Sequence, residues 1–527
     1  LSRLGPLVMR GVVGNRLEFT GEDHVVLGGT AQNDILIGSI GDDTLWGDGG
    51  NDRLEGGDGN DIVNGGAGDD IITDRGGDDV IQGDDGNDAI HGGNGLNLII
   101  GGFGSDFIVT GEDVSISHGG VGNDFILGAR LNDGVFGEAG NDWLEGGLAN
   151  ISGGDNFDPL ARDAVVGHDV FIGDEVISNM DGEGGDDIMV GNGGQQDHYL
   201  GGSGFDWAVY KDSPTGVIVV ADLQFENEAT ALGANPSTLD RYQSIEGMSG
   251  SQHGDYLIGS NQLTPTFTTS GVNGSVLRNL SLVGGLGTLV APGLVGGAFT
   301  GEILLGGAGS DIIKGGWGNE IIDGDAWMNV QIGRYTDATH TNLVSRHNSM
   351  TELQDEVFVG ALNPANLAII REIRTTLLNG TPIERGFDTA VYSGDLEDYT
   401  VVLNNNGTVA NTADDYYVIT DVGTGLDGVD IVRNIERLQF GDQSVILVAG
   451  VNQGPVGLLT VNDATPTEDQ LLTVSIAGVT DINNSVVGNL SGSITGQVTY
   501  YWQVQGTNGT FVDILIPNGA VLAACRT

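Results

Sequence analysis

From Gly29 to Glu145 the chain repeats every nine residues, thirteen times, without one inserted or deleted residue. The sixth positions read Asp34, Asp43, Asp52, Asp61, Asp70, Asp79, Asp88, Asn97, Asp106, Ser115, Asp124, Asp133 and Asp142, so eleven of thirteen carry a carboxylate. The eighth positions run from Leu36, Leu45, Leu54 and Val63 to Val135 and Leu144, with Ser117 the one polar residue among them. Glycine fills most first and fourth positions, where it permits positive φ in tight turns. Each block therefore reads as a turn followed by a short extended segment that sends one aliphatic side chain inward. Two blocks close one coil. Coils of about 18 residues, stacked roughly 4.8 Å apart, make a right-handed parallel β-roll, and the expected fold class is all-β.

Composition separates this chain from a disordered polyanion. Acids outnumber bases 73 to 19 for a net charge of -54, yet 39% of the residues are hydrophobic, which is enough for an ordered repeat protein. Such a field repels nucleic acid and anionic membrane surfaces and concentrates divalent cations. No apolar run is long enough to cross a membrane, and the opening LSRLGPLVMRGVVGNRL lacks the hydrophobic core of a secretory signal. The lone Cys525 allows no intrachain disulfide, so an extracellular protein of this kind needs another staple. Leu1 and Thr527 are read as cut points of a larger polypeptide.

Six segments are expected: a lead-in over 1–28, the roll over 29–145, an irregular repeat-like β region over 146–260, a third repeat group at 297–323 with a helical insertion within 261–385, a β module over 386–450, and a partial immunoglobulin-like sandwich over 454–527. Later blocks place Asp187, Asp206, Asp255 and Asp311 in sixth positions, with Glu302 and Glu320 beside the last. A longer repeat pairs Gly204-Phe205-Asp206-Trp207-Ala208-Val209-Tyr210 with Gly386-Phe387-Asp388-Thr389-Ala390-Val391-Tyr392. Ser349 and Glu352 predict a capping box opening a helix to about Gly360. Asn363-Pro364 predicts a second helix carrying Leu367, Ile370 and Ile373 on one face. The Thr- and Val-rich segments Leu471–Ser475 and Gln497–Val504 predict strands of the sandwich.

One buried aliphatic per nine residues is a small core, and stacked aspartates oppose folding. Two carboxylates one strand spacing apart repel by about 3.5 kcal/mol at an effective dielectric near 20. A divalent ion between them reverses the sign. Carboxylates and the carbonyls of flexible glycine turns suit the six- to eight-fold oxygen coordination of calcium better than the octahedron of magnesium. The expected calcium ligands are Asp34, Asp43, Asp52, Asp61, Asp70, Asp79, Asp88, Asp106, Asp124, Asp133, Asp142, Asp187, Asp206, Asp255 and Asp311. Alternate blocks share an edge, so Asn97 and Ser115 interrupt the row of Asp43, Asp61, Asp79 and Asp133. There Asn97 still offers a carbonyl oxygen, whereas the Ser115 turn is expected to bind nothing. Acid is expected to mimic chelation.

The best blocks, such as Gly56-Gly57-Asp58-Gly59-Asn60-Asp61-Ile62-Val63-Asn64, resemble the RTX, or haemolysin-type calcium-binding, nonapeptide of bacterial exported proteins. That resemblance implies a chain that leaves the cell unfolded through a type I secretion apparatus and folds on extracellular calcium. The stretches Asn97–Thr110, Gly184–Val190, Gly306–Asp325 with Trp327, and His347–Ile373 are similar to the region downstream of the catalytic domain in large bacterial haem peroxidases. The implied peroxidase domain precedes Leu1, and its haem-binding residues have no counterparts here. A large RTX adhesin, with the roll as a calcium-stiffened spacer, is the alternative.

No catalytic constellation is legible. The sequence contains neither H-E-x-x-H nor G-x-S-x-G. His347 precedes a helix cap and reads as structural, and Asp-Asp pairs such as Asp42-Asp43 recur with the repeat, as ligand turns do and a unique acid–base dyad does not.

Overall fold

The computed structural model describes residues 7–9, 15–128, 133–146, 151–154, 167–173, 179–191, 197–220, 240–261, 276–378, 380, 386–405 and 415–447, with short strands between 456 and 525. The chain divides into two compact units, Leu1–Leu447 and Val448–Thr527.

The first unit is a parallel β-roll. On one face, parallel pairings run from Asn15–Phe19 through Asp34–Ile40, Arg53–Asp58 and Ile71–Thr73 onward to Ile321–Asp323, which pairs with Val429–Arg433. The opposite face is an 11-stranded sheet from Val26–Thr30 to Arg241–Gln243. A six-stranded sheet follows, with Ile218–Val220, Tyr256–Ile258, Ile312–Lys314, Thr389–Val391 and Arg437–Gln439 paired in parallel. Register follows the repeat: Leu36 lies opposite Leu54, Leu54 opposite Ile72, and Ile72 opposite Ile90. The eighth-position side chains form a single-file core in which Leu36, Leu45, Leu54, Val63, Ile72, Ile81, Ile90, Ile99, Ile108, Ile126, Val135 and Leu144 are all fully buried. Ser117 takes its turn in that file, and its hydroxyl has no hydrogen-bond partner.

Beyond residue 146 the coils continue although the nonapeptide fades. Trp143–Glu145 pairs directly with Val170–Ile172, and that strand with Ile188–Val190. A coil tolerates longer excursions in its turns as long as each strand returns in register.

The outer surface of the first face is covered by the insertion formed by residues 277–299 and 326–374, on either side of three roll strands. There Phe107, Phe125, Trp143, Ile188 and Trp207 pack into one cluster with Met328, Val330, Met350, Leu353 and Val357. Polar ties pin it down: Glu145 accepts from the Ser349 hydroxyl and, at 2.8 Å, from the Met350 N–H, while Asn363 Nδ2 donates to Asp69 Oδ2 at 2.8 Å. The expected helix near Ser349 forms in two pieces, a 3-10 turn Met350–Glu352 and an α-helix Gln354–Phe358, and Gly360 at φ +74 follows it. Ser349 Oγ accepts the Thr351 N–H, whereas Glu352 reaches back to the N–H of Asn348 rather than of Ser349. The second expected helix does not form. Asn363 does cap Pro364–Asn366, but Leu367–Arg374 is a strand, paired antiparallel along its whole length with Trp327–Tyr335. Cross-strand pairing of β-branched Ile369, Ile370 and Ile373 overrides a spacing that suits one face of a helix.

The second unit shows only antiparallel pairings among its described residues, namely Val456–Gly457 with Val479–Thr480, Thr460–Val461 with Val474–Ser475, Thr499–Tyr501 with Ala523–Cys525, and Gln503–Gln505 with Phe511–Asp513. The rest of the expected sandwich lies outside the described residues.

Candidate metal sites along the aspartate rows

Stacking two blocks per coil places every second sixth-position residue in one row. Within a row each carboxylate has a divided role. Its Oδ1 accepts the backbone N–H of the equivalent residue one coil earlier: Asp34 N–H to Asp52, Asp52 to Asp70, Asp70 to Asp88, Asp88 to Asp106, Asp106 to Asp124 and Asp124 to Asp142, all at 2.7–2.8 Å. The row continues through Asp169, Asp187 and Asp206 to Glu246. A second row links Asp43, Asp61, Asp79 and Asn97. A third links Asp255, Asp311, Asp388 and Glu436 across long stretches of chain.

The other oxygen is orphaned. Oδ2 of Asp43, Asp52, Asp61, Asp70, Asp79, Asp88, Asp106, Asp124, Asp206 and Asp311 is buried without a hydrogen-bond partner. A buried acceptor left so is costly, and repetition of the same atom down a row marks a common missing partner. The surroundings identify its chemistry. A Cβ added to Gly119 would lie 2.5 Å from Asp124 Oδ2 and 2.8 Å from the carbonyl oxygen of Gly137, and one added to Gly306 would lie 2.5 Å from both Asp311 Oδ2 and Gly324 O. The first-position glycine thus keeps open a small cradle bounded by a carboxylate oxygen of its own turn and a carbonyl oxygen of the next. Both are hard donors, and nothing in the cradle donates a proton; the residues present fit a calcium ion.

Without a cation, burial raises these carboxyls: Asp43 and Asp52 to about 6, Asp70 and Asp106 to about 7, Asp88 and Asp311 to about 9, with neighbouring carboxylates adding to the desolvation. Asp124 and Asp206 are pushed well above the usual range, by burial first. In the ion-free roll burial therefore favours the protonated form of these groups, while with calcium present protons compete with the ion for the same oxygens.

Not every expected ligand sits in an equivalent cradle. At Asp34 the Thr30 N–H and hydroxyl donate to Oδ2 at 2.6 and 2.9 Å, and at Asp255 the Ser251 N–H and hydroxyl donate at 2.6 and 3.1 Å. A hydroxyl residue in the second position therefore supplies donors to the oxygen that is orphaned elsewhere. At Asn97 the side-chain oxygen takes the Asp79 N–H, which turns the amide nitrogen toward Gly92 O at 2.8 Å. The cradle there receives a donor, not the carbonyl oxygen expected from the sequence. Ser115 is buried on the same row, beside that gap. Asp133 lies in the strand Asp133–Ala139, and its side chain is outside the described residues.

Several carboxylates that the nonapeptide count passed over belong to the rows. Asp169 follows Asp142 by 27 residues, three blocks rather than two, so its frame is hidden by the intervening segment. Glu246 and Glu436 join their rows from the matching Ile-Glu dipeptides Ile245-Glu246 and Ile435-Glu436. Asp74 stands in a first position, where the repeat calls for glycine. His347 is structural: its ring nitrogens meet Glu352 at 3.0 Å and the Ser345 hydroxyl at 2.8 Å.

The family model for the RTX calcium-binding nonapeptide repeat (4 copies) matches residues 28–63, 55–90, 64–99, 82–114, 118–150 and 297–326. No curated protein matches the chain. The chain thus carries RTX calcium-binding repeats wound into a β-roll, which is a structural module.

Proposed function

We propose that this chain is the calcium-binding, noncatalytic region of an exported bacterial protein, and that its roll folds when it meets extracellular calcium. The observation that carries this reading is the column of buried, unpartnered Oδ2 atoms, all but that of Asp79 beside a glycine that leaves space for an ion. The ions are held at Asp43, Asp52, Asp61, Asp70, Asp79, Asp88, Asp106, Asp124, Asp142, Asp187, Asp206 and Asp311, with Asp169 and Asp388 continuing the rows; Asp133 completes the second row beyond its gap. Because each cradle takes oxygens from two successive turns, it exists only in the folded coil, and binding energy becomes folding energy. Where calcium is scarce the chain stays open and passes through a type I secretion apparatus; where it is abundant the roll closes. A single cysteine agrees with a metal staple in place of a disulfide.

We further propose, from the resemblance read in the sequence alone, that in the parent polypeptide a haem peroxidase domain precedes Leu1. Translating the reading frame upstream tests it, and further sandwich modules without an enzyme would favour the adhesin instead. For the calcium reading the test is far-ultraviolet circular dichroism in chelator, millimolar calcium and millimolar magnesium at neutral pH. β structure should appear with calcium, poorly with magnesium, and not in chelator. A folded spectrum unchanged by chelation overturns the reading.

A further inference from the structure

Of the thirteen blocks, those starting at Asp74 and Thr110 do not open with glycine. Asp74 falls on the second row, between Asp61 and Asp79. One coil earlier, at Gly38, the cradle is bounded by Asp43 Oδ2 and the backbone carbonyl of Gly56. At Gly56 the same space is bounded by Asp61 Oδ2, 2.6 Å from where a Cβ would sit, and by Asp74 Oδ2. A side-chain carboxylate has taken the place of a peptide carbonyl. Donor oxygens of Asp61, Asp74 and Asp79 lie within 4.8 Å of one another, and all three residues are buried. Asp74 is held in position, its Oδ1 accepting the Gly76 N–H at 2.9 Å and its Oδ2 the Gly57 N–H at 3.2 Å. Asp61 Oδ2 and Asp79 Oδ2 have no hydrogen-bond partner although both side chains are at least nine-tenths buried.

We propose that Asp61, Asp74 and Asp79 form a three-carboxylate cation site, different in kind from the carboxylate-and-carbonyl cradles of the rows, that holds a hard cation most tightly and releases it last. Replacing a neutral carbonyl by a carboxylate adds a full negative charge to the ligand set. Affinity of oxygen sites for hard cations rises with ligand charge. The same extra charge favours a trivalent lanthanide over calcium more strongly here than in the other cradles. The inference rests on the reading of the rows as calcium sites and deepens it at one coil.

The experiment uses the full chain folded in millimolar calcium and then mixed rapidly with an excess of a fluorescent chelator, so that ion release is counted and timed. Asp74→Gly restores the repeat's own residue and leaves the neighbouring carboxylates in place; Asp74→Asn keeps the shape and removes the charge. The unaltered chain should show a slow phase of one ion per chain, about tenfold slower than the remainder, and both variants should lose that phase while keeping the others. Terbium added to the calcium-loaded chain should displace that one ion first, and in the variants it should show no such preference. Identical release from all three chains overturns the three-carboxylate site while leaving the calcium roll intact. Absence of any bound calcium in the unaltered chain overturns the roll reading as well.

Discussion

At the scale of single residues, the site is made by what glycine lacks as much as by what aspartate carries. Gly119 has no positive φ that would exclude alanine, so the objection to Gly119→Ala is purely that its methyl would enter the cradle against Asp124 Oδ2 and Gly137 O. The variant should bind one calcium fewer per chain and lose about 1–3 kcal/mol of calcium-supported stability, checked by equilibrium dialysis and by urea unfolding in saturating calcium. Protons compete for the same oxygens. The buried carboxyls are raised from an unfolded value near 4 to between about 6 and 9 in the ion-free roll. Their contribution to the empty fold is therefore fully present below the unfolded value and is lost as pH rises through that range. In chelator, β structure should grow as pH falls from 9 toward 5. With calcium the dependence reverses, because binding expels protons: the calcium midpoint should fall with rising pH by about tenfold per unit for each proton displaced. A midpoint independent of pH between 6 and 9 would contradict the titration of these groups.

At the scale of elements, the two faces of the roll have different neighbours although their blocks are alike. Seventh-position Phe107, Phe125 and Trp143 are buried beneath the insertion, while Ile62, Leu98 and Ile116, in the same block position on the other face, remain exposed to solvent at 51%, 37% and 43%. Phe125→Ala should therefore cost about 3–5 kcal/mol and loosen the insertion. Ile116→Ala should cost less than about 1 kcal/mol. Chemical unfolding in calcium, followed by near-ultraviolet dichroism for the packed tryptophans, distinguishes them, and equal losses would mean that the cover does not contribute as described. The aromatic character of 107, 125, 143 and 207 was the available hint that one face is covered. The strand Leu367–Arg374 had no such hint, since its spacing fits a helix until Trp327–Tyr335 is placed beside it.

At the scale of the whole molecule, the last coils are closed by segments far apart in sequence. Asp311 donates its N–H to Asp388 Oδ1 at 2.8 Å across 77 residues, and Glu320 to Asp430 at 3.0 Å across 110. Such contacts close long loops and form late, unlike the local coils of 29–145. Asp388→Ala removes a third-row carboxylate whose Oδ1 ties the Asp311 coil and whose Oδ2 borders the Gly324 cradle. Limited proteolysis in calcium should then cleave within 386–447 several times faster, with 29–145 still protected; uniform protection would show that the closure does not depend on that carboxylate.

What the sequence determined alone is the part whose contacts are local and repeated. A nine-residue period with one acid, one aliphatic and paired glycines leaves the parallel roll, its aliphatic file and its alternating rows as the consistent arrangement, because each coil needs only its neighbours. The tertiary structure decided what depends on residues distant in sequence: that the coils continue through Asp169, Asp206 and Asp388, and that an insertion covers one face. It also decided the direction of the Asn97 amide and the meeting of Asp74 with Asp61 and Asp79. Periodicity reports which residues are equivalent, whereas only the stacking of coils reports which oxygen atoms face one another and which of them lack a proton donor.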